Sequence, residues 1–196
     1  MTTAEQDKER ILAELEQWLD AVVIGQQLCP FAARPRQQDA VRIVVSASTD
    51  PEQLLQQFYA ELMKLADSEP AALETTLMVV PALQASFDDY WEFVGVAESL
   101  LEQSPWRGQF QVASFHPQYI FEGCEADDPA NYSNRSPWPI LHLLREDSVA
   151  AAIASHPDVS AIPERNVELL RAMESDTLRA LFPWHFAAEP RPNDPQ

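Results

Sequence analysis

His116 and His142 are two of the four histidines in the chain, and they bracket a run that also holds Cys124, Tyr119, Asn131, Asn134 and Arg135. The whole stretch, Phe115 to Glu146, reads FHPQYIFEGCEADDPANYSNRSPWPILHLLRE. His116 is followed by Pro117, which restricts its backbone to an extended conformation and would fix the imidazole as a general base or ligand. The alternative is a histidine hydrogen-bonded to loop backbone. Arg135 stands before a rigid SPWP turn, where a guanidinium could meet a carboxylate or phosphate, or else satisfy loop carbonyls or pair with Asp127 or Asp128. His116, His142 and Arg135 are therefore the candidate catalytic residues.

Tyr119, Asn131, Asn134, Arg135, Arg145 and Cys29 are the candidate ligand-binding residues, for a small anionic molecule. A divalent metal on His116, His142 and Asp127 is a further expectation, since nitrogen and oxygen donors suit zinc, iron or manganese. No HExxH, CxxC or HxH spacing supports it. Cys29 follows a helix whose C-terminal dipole disfavours a thiolate, so a small buried hydrophobe competes with a nucleophile there. Cys124 lies in the acidic run EGCEADD, where like charge opposes ionisation.

Other chemistries find no support. The four glycines are scattered, so there is no phosphate loop or dinucleotide fingerprint, and no GxSxG elbow occurs. The lysines, Lys8 and Lys64, both fall in amphipathic helical patterns. A net charge of −18, from 31 acidic and 13 basic residues, opposes approach to nucleic acid or an anionic membrane. Two cysteines do not make a disulfide framework, and no apolar run is long enough to span a bilayer, so a cytoplasmic protein with reduced thiols is expected.

The elements that must position these residues follow from periodicity. Ile11, Leu15, Trp18, Leu19 and Val22 mark an N-terminal helix through Gln27, which Pro30 ends. Val41 to Ser48, Thr75 to Val80 and Phe110 to Phe115 read as strands. Between them run a helix opened by Asp50 and Pro51, and one capped by Ser86 or Asp88. Ile140 to Ile153 reads as a helix with His142 near its start, where the dipole would favour neutral imidazole. A further helix runs from Pro163 to Leu181.

The expected fold class is α/β, a single domain over residues 1–185 with a small, mainly parallel sheet on a βαβαβ core, flanking helices and a helical C-terminal part. Residues 186–196 are expected to be a flexible tail. In an open sheet the loops after Ser46, Val80 and Phe115 share the edge where ligands bind.

The runs CPFA at Cys29 to Ala32, VASFHPQY, NYSNRSPWPILHLLRE and IPERN at Ile162 to Asn166 resemble an uncharacterised bacterial family of unknown function. The resemblance covers nearly the whole chain and implies one domain, with no activity or cofactor attached. The functional expectation is a small-molecule enzyme acting on an anionic metabolite in a pocket built by residues 115–146. The alternatives are a non-catalytic metabolite- or metal-binding protein and an acidic interaction module anchored on Trp91, Trp106 or Trp184.

Overall fold

The structure is a computed structural model that describes residues 3–155 and 159–186. Four strands, β1 (Val41–Val45), β2 (Thr75–Val79), β3 (Phe110–Phe115) and β4 (Ile140–Arg145), form one sheet in the order β1-β2-β4-β3. β1 and β2 are parallel, and β4 runs antiparallel to both of its neighbours. The sheet is thus mixed and mostly antiparallel, which corrects the mainly parallel βαβαβ expectation. The protein is an α/β fold all the same, with helices on both faces.

The cause of that error lies in Ile140 to Arg145. Ile140, Leu141 and Leu143 are fully buried because β4 is central and covered on both sides. A strand buried on both faces loses the two-residue alternation and cannot be told from a helix by period alone. The helix α5 (Glu146–Ser155) follows Arg145 with no intervening loop, so the two elements read as one. His142 consequently sits within a strand and not at a helix start.

α3 (Pro51–Ala66) begins where expected, with Asp50 accepting the Glu52 amide at 2.9 Å and Pro51 in the first turn. α4 (Phe87–Glu102) is capped by Ser86, which accepts the Asp89 amide at 3.2 Å. These two helices cover one sheet face, packing Leu54, Phe58, Leu62, Tyr90, Phe93 and Ala97 against Met78, Leu141 and Leu143. The other face is covered by α1 (Thr3–Trp18) and by the C-terminal helices α6 (Ile162–Ala172) and α7 (Ser175–Leu181). The expected single helix from Pro163 to Leu181 is broken where Met173 turns extended. Short helices α2 (Ala33–Gln37) and α8 (Pro183–Phe186) complete the set, and residues 187–196, nearly all of the expected tail, lie outside the described residues.

α1 does not run as a regular helix to Gln27. After Trp18 it widens into a π-helical segment, Leu19–Ile24, in which the Gly25 amide donates to Asp20 O at 3.0 Å. A Cβ at Gly25 would lie 2.4 Å from Ala21 O, so this wide turn admits only glycine. The chain then bends through Leu28 and Cys29 toward the loop after β3. π-helical insertions of this kind recur at functional sites.

Candidate functional site

β1, β2 and β3 all run in one direction, so the loops after them share one end of the sheet. The loop after β3 is tied together by its own side chains. The His116 amide donates to Asn134 O at 3.2 Å, and Asn134 Nδ2 donates to Ser114 O at 3.1 Å. Asn131, fully buried, accepts the Phe121 amide at 3.0 Å and donates to Glu125 O at 2.8 Å. Gly123 turns the chain at φ +80°, and Asp128 caps a 3-10 turn over Pro129–Ser133.

Arg135 is the centre of this arrangement. It is 2% exposed, donates from Nε to Tyr119 O at 3.1 Å and from Nη2 to Ala126 O at 2.6 Å, and stacks over the Tyr132 ring at 4.9 Å. Its Nη1 lies 3.2 Å from His185 Nε2, which accepts the hydrogen bond. Burial lowers the pKa of Arg135, and burial together with the adjacent guanidinium lowers that of His185 to about 4.

His116 is fully buried against the rings of Phe87 and Tyr90 on the α4 side of the sheet. The Gln118 amide donates to its Nδ1 at 3.1 Å, so Nε2 carries the proton and donates to Leu83 O at 3.0 Å. Burial pushes its pKa down to about 4. His142 faces the opposite side, paired across β4 with Leu77 and Ala113 and packed near Phe115. The Thr75 hydroxyl donates to Leu143 O at 2.6 Å, so His142 Nε2–H donates to Thr75 Oγ1 at 2.7 Å. Its pKa is also lowered to about 4, by burial and not by a helix dipole.

The sheet therefore separates the two histidines. Asp127 is exposed on the loop, and among the described residues no three His, Cys, Asp or Glu side chains are grouped to hold a metal ion. Arg145 lies at the far end of β4. It donates from Nη2 to Leu65 O and Ser68 O, both at 2.7 Å, and to Leu73 O at 3.0 Å, closing the C-terminus of α3.

What the fold does bring together is a cavity of about 550 Å³ on the α1 side. Its wall includes Cys29 from the bend after the π-helix, Phe115 at the end of β3, and Phe121, Cys124 and Asn134 from the loop. α6 closes it with Ile162, Pro163 and Asn166, and Arg171 stands on the same wall. Asn166 Nδ2 donates to Leu28 O at 2.7 Å, fastening α6 to the bend that carries Cys29. Arg165 donates to Gln27 O and to Asn166 Oδ1, which reinforces that seam. Arg171 forms a bidentate pair with Asp128, 2.6 and 3.0 Å, which lowers the Asp128 pKa to about 2.

Of the candidate ligand-binding residues, Cys29 and Asn134 line this cavity, while Tyr119, Asn131 and Arg135 hold the loop behind it. The Phe31 and Ala32 amides are directed at the Cys29 sulfur, yet burial dominates and raises the thiol pKa. Asn166 and Arg171 are wall residues that the sequence did not single out, and Cys124 is one it set aside for its acidic neighbours. The signal for Asn166 was its place in IPERN, a motif with no chemistry of its own. A second cavity, about 490 Å³, opens between α1 and the ends of β1 and β2, next to Ser46, Ser48 and Lys8.

Fold and site define an α/β protein with a loop-walled, largely apolar cavity beside a mixed four-stranded sheet. A family model described as "Protein of unknown function (DUF1415)" matches residues 10–180, and the chain belongs to that family. No curated protein and no solved structure matches the chain. No helix among the described residues is long and apolar enough to cross a membrane.

Proposed function

We propose that this protein binds a small molecule with an apolar body and one anionic group in the cavity between Cys29, the Phe115–Asn134 loop and α6. The observation that carries this reading is convergence: CPFA, FHP, NYSN and IPERN, remote from one another in sequence, each contribute a residue to one wall. Phe115, Phe121, Ile162 and Val167 supply the apolar surface, and Arg171, paired with Asp128, is the basic group on the wall, which an anionic ligand would engage in competition with that carboxylate. Pockets that bind small molecules are built in this way, mostly apolar with a few fixed polar groups.

Between an enzyme and a binder, the hydrogen bonding favours the binder. Both ring nitrogens of His116, the Nε2 of His142 and the guanidinium of Arg135, nominated for acid, base or anion chemistry, are already engaged inside the fold. A catalytic version acting on the same anionic metabolite would have to draw on the thiols or on groups of the ligand itself.

The test uses 1-anilinonaphthalene-8-sulfonate, an aromatic anion small enough for the cavity. Titration into the folded protein should give saturable, one-to-one fluorescence enhancement. Val167→Trp, which fills the cavity from α6, should weaken it at least tenfold, whereas Val96→Trp, exposed on α4, should not. Cooperative thermal unfolding of each variant checks that the fold is kept. Absence of saturable binding, or equal binding by both variants, overturns the proposal.

A further inference from the structure

The chain has two cysteines, and although CPFA and EGCEADD are far apart in sequence, both thiols line the same cavity and both are free. Each lies outside regular structure: Cys29 in the bend that follows the π-helix, Cys124 in the turn directly after Gly123. Both residues border one cavity, and a disulfide needs Cα atoms roughly 4–7 Å apart, so the bond forms when the two loop segments close on each other across it. Loop segments supply such movement at low cost, unlike strands or helices. We propose that Cys29 and Cys124 form a reversible disulfide across the cavity, which pins the loop after β3 to the bend after α1.

The amides of Phe31 and Ala32 face the Cys29 sulfur, although burial raises its pKa, and Arg171 stands on the same wall as Cys124, so the exchange is run at mildly alkaline pH. The oxidant is a low-molecular-weight disulfide. One protein thiolate attacks it, forming a mixed disulfide and releasing one small thiolate. The other protein thiolate then attacks the mixed disulfide at the protein sulfur, forming the Cys29–Cys124 bond and expelling the second. Two protein thiols are oxidised, the small disulfide is reduced to two thiols, and the two thiol protons pass to the departing thiolates. This chemistry stands on the positions of the sulfurs and does not depend on the ligand proposed above.

The test treats the native full-length chain with oxidised glutathione at mildly alkaline pH and reads the intact mass. The expected product has lost the mass of the two thiol hydrogens and carries no glutathione, and non-reducing proteolysis yields Cys29 and Cys124 peptides joined together. Dithiothreitol should restore the starting mass. In Cys29→Ser and Cys124→Ser, the remaining thiol should stop at a stable glutathione adduct. Stable glutathione adducts on the wild type without a joined peptide, or no reaction of the native chain while the urea-unfolded chain reacts, overturns the proposal.

Discussion

Both described histidines of the sheet are held neutral by the interior. Burial opposes charging of His116, and the hydrogen bond to Leu83 O offsets only part of that cost, leaving its pKa near 4. An unfolded histidine titrates near 6.5, so below that pH the unfolded chain takes up a proton that folded His116 refuses until about pH 4. Stability is therefore complete above about pH 6.5 and declines as the pH falls through this window, by on the order of 3 kcal/mol for His116 at the acid end. His142 contributes in the same direction. His116→Asn should lower stability at pH 7, because the Leu83 and Gln118 contacts are disturbed, while showing a shallower decline toward pH 4.5 than the wild type. Urea midpoints at several pH values measure this, and identical slopes for both chains would remove His116 as the source.

At the scale of elements, the loop after β3 is held by hydrogen bonds more than by packing, and Arg135 carries the critical ones. Arg135→Met keeps the apolar contact with Tyr132 but leaves the carbonyls of Tyr119 and Ala126 without their donor. The unpaired buried carbonyl of Tyr119 costs about 1–3 kcal/mol, while that of Ala126, an exposed residue, regains water, so a loss of roughly 1–3 kcal/mol in urea unfolding is expected, with protease cleavage appearing between Tyr119 and Ala126. Arg135→Lys should rescue little, since an ammonium cannot span both carbonyls in the guanidinium geometry. An unchanged cleavage pattern would show that the loop is held by something else. The residue types of this loop singled it out as the candidate site; whether Arg135 turns inward they left open, because the same guanidinium serves a ligand or a backbone. Helix starts at Asp50 and Ser86 were legible because caps are local signals. β4 was not, because its pattern of burial depends on strands and helices remote in sequence. The separation of His116 from His142 follows from the same cause, since a helix would have put His142 beside Arg145 and a strand puts it on the sheet face away from α4.

For the molecule as a whole, the charge imbalance is the dominant long-range term. With 31 acidic against 13 basic residues, pairing every basic group would still leave 18 carboxylates uncompensated. Ion pairs such as Arg36–Asp20 and Arg42–Glu61 are at or near the surface, where each contributes about 1 kcal/mol or less and weakens with salt. Self-repulsion of the excess negative charge acts over the whole surface and is released when the chain expands. Salt screens both, but the Debye length shrinks from about 30 Å at 0.01 M to about 10 Å at 0.1 M, so the long-range repulsion is lost before contacts of a few ångströms are. Sodium chloride should therefore raise the urea midpoint at pH 7, with most of the gain complete by about 0.2 M. Reversing several exposed acids on α4, such as Glu92→Lys and Glu98→Lys, should reduce the size of that gain, because each lowers the net charge that salt has to screen. A midpoint that falls with salt in the wild type would mean that local pairs outweigh the net repulsion, and the surface ion pairs would then hold the fold together.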